Sequence, residues 1–369
     1  MITRISLLSI LITFTSLIYS QDKFHIDTTS NISRIGLRFY AGTIVPHDNA
    51  LKPLKKGLIK SFELSYSIIK NDNKVWRSYY NFPEVGFSFM LMDLGYKDVL
   101  GYSHSVFPFI VFPITKHDKP LRVNLRVAIG LSYITKMYDS ISNPKNVGIS
   151  TPINMYASLG LTINYTLSSH VSVNAGINGS HFSNGSIKKP NYGLNILTGS
   201  IGVNYILNQN SRNPRTHTDL EINKSRWLAI FSGGIKETND PGGSKYGIGS
   251  LSMEYSKSFK SLLRYGATFD YMYDASTLNH FEDKNIPYQS KLKASKIGLT
   301  LMGEMTLYRL SAFGNLGVYI YNHDKQNKSV YQRIGIRYRL SDSFYSQIAL
   351  KTHLNVADYI EFGIGFKVN

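Results

Sequence analysis

A histidine, a serine and an asparagine in the middle of the chain have the types and spacing of a nucleophilic catalytic set. They are His181, Ser183 and Asn195. Residues i and i+2 on one strand face lie about 7 Å apart at the backbone, so the side chains of His181 and Ser183 could meet. A histidine that takes the serine proton, oriented by an asparagine, would make the serine a nucleophile. Because His-x-Ser is common, spacing alone leaves open a second interpretation, in which these polar residues are only tolerated at a membrane interface.

The segments that would position these residues alternate like β-strands. Over residues 121–132, six aliphatic side chains alternate with small or polar ones that include Arg122 and Arg126. A period of two predicts a strand with one apolar and one wet face. Sixteen such segments begin near residues 33, 60, 84, 103, 121, 152, 170, 194, 226, 245, 261, 294, 310, 330, 344 and 357. Their even number and their length of about ten residues predict an all-β fold, a transmembrane antiparallel β-barrel of about 16 strands.

The N-terminus has the pattern of a secretory signal peptide. Arg4 precedes the apolar run 5–18, and the small residue Ser20 precedes a polar segment. The run is shorter than the ~20 residues with which a helix spans a bilayer, so we expect cleavage near Ser20 and export to a Gram-negative outer membrane. The chain has a formal charge of +17 and no cysteine, which excludes disulfide scaffolds and thiolate metal sites. For an exported chain this charge points to membrane lipids and not to nucleic acid.

Strand alternation places the three candidate residues on the lipid-facing side. Val171 and Val173 belong to the apolar face of their strand, and continuing the alternation by twos places His181 and Ser183 on that same face. Asn195 lies on the apolar face of the next strand. Burying such groups without partners costs a few kcal/mol each, so they either bond one another or have a function. Short connections at 167–170, 258–261, 308–310 and 341–343 are expected to face the periplasm, which puts the site at the outer leaflet.

A long connection near the middle divides the chain. We expect a signal peptide (1–20), an eight-strand half (21–208), a periplasmic linker (209–225) and a second eight-strand half (226–369). The halves could close as two small barrels or as one large barrel. We favour a single barrel, because two barrels need two separate closures from a chain with one C-terminal strand.

The segment from His181 to Asn195 resembles the signature of the outer-membrane lipid A 3-O-deacylases, the PagL family with its acyloxyacyl hydrolase-like relatives. The sequence HFSNGSIKKPNYGLN contains His-aromatic-Ser-Asn followed by Lys-x-Pro-Asn-x-Gly. The resemblance covers about residues 33–208. It implies an eight-stranded barrel whose catalytic residues lie on the lipid-facing side at the outer leaflet.

The resemblance also implies a role for each residue. Ser183 would be the nucleophile and His181 its general base, while Asn184 would support the oxyanion hole together with backbone N–H groups near Ser186. The acidic member of the family triad falls on Asn195, which can hold the imidazole but cannot stabilise imidazolium by charge. Ser186 replaces a family glycine.

The implied substrate and partner is lipid A, the phosphorylated anchor of lipopolysaccharide, among the other outer-membrane lipids. Each lysine near an anionic surface contributes about 1 kcal/mol. We assign Lys188, Lys189 and His47 as candidate substrate-binding residues. His353 and Glu361 have lumen parity and are expected to form a structural network. No histidine cluster or carboxylate array predicts a metal, and no cofactor is expected.

Two functions remain open at this point. The first is an esterase that removes the 3-O-linked acyl chain of lipid A by a Ser/His mechanism. The alternative is a non-enzymatic outer-membrane barrel, either a porin-like channel or a structural protein. The sequence leaves undecided which ester is cut, what the second half does, and whether the protein is a homodimer.

Overall fold

The computed structural model describes residues 31–70, 72, 74–115, 121–208, 224–237, 241–259, 262–287, 290–324, 329–354 and 356–368. The predicted signal peptide lies outside the described residues, as does all of the predicted linker except residues 224 and 225. The described residues form sixteen antiparallel strands. Each begins within two residues of its predicted start.

Eight strands form a first closed barrel. They are β1 (Ile32–Ile44), β2 (Ile59–Ile69), β3 (Glu84–Asp93), β4 (Tyr102–Pro113), β5 (Leu121–Ile134), β6 (Ile153–Thr166), β7 (Val171–Ser183) and β8 (Leu194–Asn208). Consecutive strands pair, and β8 returns to pair with β1 from Ile44↔Ile196 to Ser33↔Asn208.

The remaining eight strands form a second closed barrel. They are β9 (Ser225–Glu237), β10 (Lys245–Phe259), β11 (Leu263–Asp274), β12 (Ser295–Leu307), β13 (Leu310–Asn322), β14 (Val330–Arg339), β15 (Phe344–His353) and β16 (Val356–Lys367). Strand β16 closes this barrel on β9, from Glu361↔Gly234 to Lys367↔Leu228.

The prediction of one large barrel is therefore wrong, whereas the sixteen antiparallel strands are confirmed. The error was to treat the C-terminal strand as the one closing element. Strand β8 presents a full edge to β1 within its own half, so both edges are satisfied before the linker begins. Closure removes the unpaired edges that would otherwise favour a larger sheet.

The connections divide each barrel into two ends. At the end that we call the loop end, the first barrel has connections 45–58, 94–101, 135–152 and 184–193. The second has 238–244, 275–294, 323–329 and 354–355. The opposite turn end contains the short connections predicted from the sequence. In the described parts of the connections there are four short helices: α1 (Val75–Tyr79), α2 (Ser276–Asp283), and two 3₁₀ helices, Asn49–Leu54 and Lys291–Ala294.

The lumen of the first barrel changes character along its axis. Around its middle, Glu63 accepts two hydrogen bonds from Arg126, at 2.6 and 3.2 Å, and one from the hydroxyl of Tyr40 at 2.5 Å. Towards the loop end the filling is apolar and includes side chains from the connections. This cluster contains Ile44, Leu51, Leu54, Ile59, Leu94, Leu100, Ile149, Phe182 and Leu194.

The lumen of the second barrel is filled by ion pairs over most of its length. Arg337 bridges Glu254 and Glu304 at 3.0 and 2.8 Å, and Arg333 contacts Asp270 and Glu361 at 2.9 and 2.6 Å. Near the loop end, lysines and carboxylates alternate in a further cluster made of Lys236, Asp274, Lys296, Asp324, Lys351 and Asp358.

The outward faces of both barrels are rich in exposed aliphatic and aromatic side chains, such as Phe39, Ile201, Phe231 and Leu301. In the part of the chain that the structure describes, no helix has the length and apolar character needed to cross a membrane.

Candidate active site

Alternation at the end of β7 and the start of β8 fixes which side chains point outward. Phe182 and Leu194 are fully buried in the apolar cluster of the lumen. Because successive side chains on a strand point to opposite faces, their neighbours His181, Ser183 and Asn195 take the outward direction. The outward direction predicted from the sequence thus follows from the burial of Phe182 and Leu194 inside the barrel.

His181 and Asn195 are direct partners across the β7–β8 ladder. The imidazole Nδ1 of His181 lies 2.6 Å from Oδ1 of Asn195. An amide oxygen can only accept, so in this orientation Nδ1 carries the proton and Nε2 keeps its lone pair. The contact therefore sets the tautomer in which a histidine can act as a base towards a hydroxyl.

His47 approaches the other end of the same amide. Its Nδ1 lies 2.9 Å from Nδ2 of Asn195, while the N–H of Val45 donates to the Asn195 carbonyl at 2.8 Å. The amide thus donates to one imidazole and accepts from the other, and each contact fixes its orientation. His47 was predicted as a substrate-binding residue, and the structure places its exposed ring next to Asn195, as the third member of a hydrogen-bonded His181–Asn195–His47 series.

Gly193 gives the imidazole of His181 its space. Its backbone has φ +75°, which is in the left-handed region where glycine is favoured. A Cβ at this position would lie 2.6 Å from Cε1 of His181 and 3.1 Å from Nε2. No side chain fits at residue 193 unless the histidine moves.

The hydroxyl of Ser183 is buried without a partner. The residue is only 2% exposed, and its Oγ makes no hydrogen bond to any described residue, His181 included. A buried hydroxyl without a partner is unfavourable, and such groups occur where a catalytic role requires them. In unliganded enzymes the bond between nucleophile and base is often long and tightens only with substrate.

The loop after Ser183, residues 184–193, is held by the side chain and backbone of Asn184. The Asn184 amide donates to Oγ of Ser150 and to the carbonyl of Lys188, both at 3.0 Å, and its backbone N–H donates to Oδ1 of Asn191 at 3.1 Å. These donors hold the loop, which we call the site loop.

Two successive residues of the site loop are left-handed. Gly185 has φ +63° and Ser186 has φ +70°. For a residue with a side chain this conformation costs about 1 kcal/mol or more. Within the described residues, the backbone N–H groups of Gly185 and Ser186 donate to no acceptor. Both residues are buried, and their N–H groups are the donors nearest in sequence to Ser183 for which the described part of the chain has no acceptor present.

The two lysines of the site loop lie in different environments. Lys188 is exposed, whereas Lys189 is partly buried and its backbone N–H donates to the carboxylate of Glu237 in the second barrel. Burial lowers the pKa of the Lys189 ammonium, against the opposing effect of the nearby Asp358 carboxylate. The lysine pair predicted from the sequence therefore has one solvent-facing member and one at the junction of the barrels.

The sequence reasoning missed the residues that act on the site from a distance. Ser150, Asn191, Gly193 and Glu237 all hold the site loop or leave space for the imidazole, and no role was assigned to them. Asn191 and Gly193 had a sequence signal, as the Asn and Gly of the Lys-x-Pro-Asn-x-Gly motif, whereas Ser150 and Glu237 had none. His353 and Glu361, which were predicted to face the lumen, lie in it. His353 contacts the Tyr319 hydroxyl at 2.9 Å, and Glu361 lies in the ion-pair network. Among the described residues, no group of His, Asp or Glu could hold a metal ion.

Comparison with known families gives a match to each barrel. The family model described as lipid A 3-O-deacylase (PagL) matches residues 60–204, and the model described as acyloxyacyl hydrolase, C-terminal domain, matches residues 225–369. No curated protein matches the sequence.

Solved structures give only distant similarity. Neisserial surface protein A is 14% identical over 47% of this chain and 96% of that protein, with a TM-score of 0.30. CdiB from Acinetobacter baumannii is 9% identical over 90% of this chain and 60% of that protein, with a TM-score of 0.20. A porin mutant of Rh. blastica is 8% identical over 91% of this chain and 99% of that protein, with a TM-score of 0.18. TM-scores this low carry no conclusion about fold or function.

Proposed function

We propose that this chain, which belongs to the lipid A 3-O-deacylase (PagL) family, is an outer-membrane esterase that removes the 3-O-linked acyl chain of lipid A. The observation that carries the proposal is the outward-facing trio at the loop end of the first barrel. It combines a buried, unpartnered Ser183 hydroxyl with an imidazole that Asn195 holds at 2.6 Å.

In the proposed reaction, Ser183 attacks the acyl carbonyl carbon while Nε2 of His181 takes the hydroxyl proton. Negative charge then develops on the carbonyl oxygen, where the N–H groups of Gly185 and Ser186 would stabilise it. Collapse breaks the ester C–O bond, and His181 gives the proton to the departing sugar oxygen, which leaves as a hydroxyl. Water, activated by His181, then hydrolyses the acyl-serine to a 3-hydroxy fatty acid and restores Ser183.

Asn195 makes this site weaker than one with a carboxylate. It fixes the tautomer of His181, but it does not offset the charge of the imidazolium that forms during attack. His47 acts in the proposal as a positioning residue, because its Nδ1 accepts from the Asn195 amide and keeps the amide oxygen directed at His181. Asn184 supports the oxyanion hole by holding the site loop.

The location and the substrate are supported by charge and surface. The apolar outward faces suit a hydrocarbon environment, and placing the loop end at the outer leaflet brings the site to the lipid A layer. Lys188 and the other exposed lysines of the loop end would attract the lipid A phosphates. These lysines include Lys52, Lys55, Lys56 and Lys145.

The filled lumens favour the esterase over a channel. Both interiors contain buried side chains in hydrogen-bonded or apolar clusters, and a cavity in the first lumen has a volume of only about 20 Å³. That is about one water molecule, whereas a porin needs a continuous aqueous path.

Kinetics of purified variants on lipid A in detergent would test the proposal. Ser183→Ala and His181→Ala should each abolish release of 3-hydroxy fatty acid, and the double variant should be little worse, because paired groups act as a unit. Ser180→Ala, on the lumen face of the same strand, and His104→Ala, an exposed histidine on β4, are matched controls that should retain activity. Equal activity in wild type and Ser183→Ala would refute the mechanism.

A further inference from the structure

We infer that the second barrel is a positioning element for the catalytic loop of the first, with Glu237 as its principal positioning residue. The inference rests on the proposed function, because it concerns the same site. It assigns a role to the second half of the chain, where none of the described strand residues is an outward-facing histidine.

Glu237, the last residue of β9, holds the site loop at two points. Its backbone N–H donates to the carbonyl of Ser186 at 3.2 Å, and its carboxylate accepts from the backbone N–H of Lys189. The residue is only 5% exposed, so both bonds are shielded from water. The backbone and the side chain of Glu237 thus bind both ends of the four-residue segment 186–189 of the site loop.

The first strand residues of β16 complete the contact. Oγ of Ser186 donates to the carbonyl of Ala357 at 2.8 Å. Gly185 lies so close to Ile360 that an added Cβ would overlap its side chain. The loop is therefore held by hydrogen bonds on Ser186 and Lys189 and by van der Waals contact on Gly185.

These contacts act on the residues whose conformation matters for the chemistry. Ser186 is left-handed although it has a side chain, and its hydroxyl and carbonyl are both bonded to the second barrel. A residue in this conformation persists where its surroundings hold it. Since the N–H groups of Gly185 and Ser186 are the proposed oxyanion donors, the second barrel sets the direction in which those groups point.

The barrels also touch at the turn end, where the ammonium of Lys74 lies 5.0 Å from the centre of the Tyr308 ring. The two contacts join loop end to loop end and turn end to turn end, so the barrels lie side by side in the same direction. This arrangement keeps Glu237 and Ala357 at the level of the site loop.

The test compares Glu237→Ala, Glu237→Gln and Ser186→Ala in the full-length protein. Glu237→Ala and Ser186→Ala should each lower kcat about tenfold with KM within about twofold of wild type, because the loss falls on transition-state stabilisation. Glu237→Gln keeps an acceptor for the Lys189 N–H and should restore kcat to within about threefold. Asp93→Ala is the matched control, since it removes a carboxylate that accepts from Gly95 N–H at 2.9 Å on a different loop.

A second readout uses a fluorophosphonate that reacts with Ser183 and needs the same oxyanion donors. Its rate of reaction should fall in parallel with kcat, while heat-modifiable gel migration shows that both barrels remain folded. Unchanged kcat and unchanged labelling in Glu237→Ala and Ser186→Ala would overturn the inference. Failure of the proposed function looks different, because wild type itself would then neither release fatty acid nor label at Ser183.

Discussion

The two barrels share one architecture but differ in where they put their polar residues at the loop end. In the first barrel the loop end of the lumen is apolar, and a histidine on the penultimate strand, His181, faces outward to meet Asn195. In the second barrel the loop end of the lumen holds lysines and carboxylates, and the histidine of the penultimate strand, His353, faces inward to Tyr319. The connection after it is short, at residues 354–355, whereas the site loop has ten residues.

This difference shows what a barrel needs to carry a site on its outer face. The polar residues must have outward parity, the lumen behind them must hold their strand neighbours, and a loop must cover them. Phe182 and Leu194 supply the second condition and the site loop supplies the third. The second barrel meets none of these conditions at His353. Its charged residues instead form ion pairs with one another inside the lumen.

Among changes outside the catalytic side chains, the largest expected effect comes from filling the space beside His181. Gly193→Ala adds a Cβ 2.6 Å from the imidazole, and displacing a catalytic group by about 1 Å can cost on the order of 100-fold in rate. Gly242→Ala in the second barrel is the matched control, because Gly242 has φ +79° and nothing within 4 Å of the added atom. Deacylation rates of the two variants should differ by that factor, and equal rates would mean that the position of His181 does not limit catalysis.

A large effect on stability is expected from the ion pairs of the second lumen. Arg337→Met leaves Glu254 and Glu304 with one arginine fewer, and breaking a buried pair costs about 3–5 kcal/mol. Adding Glu304→Gln should recover part of the loss, since the penalty lies in the uncompensated charge.

In the first lumen, Leu54→Ala should cost about 2–5 kcal/mol through the cavity that it leaves. No charge change should recover that loss. Urea unfolding in detergent would measure both series. The distinction between an apolar and an ionic lumen would be contradicted by either of two results. One is that a charge change restores the stability lost in Leu54→Ala, and the other is that Glu304→Gln restores none of the stability lost in Arg337→Met.

The smallest effect is expected at His353. Its ring bonds to the Tyr319 hydroxyl and lies 3.6 Å from the Asp358 carboxylate, which Lys236 and Lys351 also contact. His353→Ala should therefore lower stability by about 1 kcal/mol and leave deacylation within about threefold of wild type. A loss of activity comparable to that of His181→Ala would show that the second barrel contains a site of its own.

Local alternation carried most of the fold prediction. Runs such as 121–132 fix strand position and facing, so sixteen strands and the outward parity of His181, Ser183 and Asn195 follow from the sequence. Closure does not follow, because the pairing of β8 with β1 joins residues more than 150 positions apart and leaves no local pattern. The same limit hid Glu237, whose contacts with the site loop connect two barrels.

His47 has a contact that its residue type does not reveal. Substrate contact by this exposed loop histidine stays a prediction, while the register of β1 against β8 brings it to the Asn195 amide. Only the pairing of the two strands reveals that contact.

Mass spectrometry of lipid A from Gram-negative cells that express the wild-type chain or Ser183→Ala tests the central claim most directly. We expect that wild type produces lipid A lighter by one 3-hydroxyacyl group, while Ser183→Ala leaves lipid A identical to that of cells without the protein. Lipid A that is equally unmodified by both proteins in several hosts would contradict the claim and leave a non-enzymatic barrel in its place.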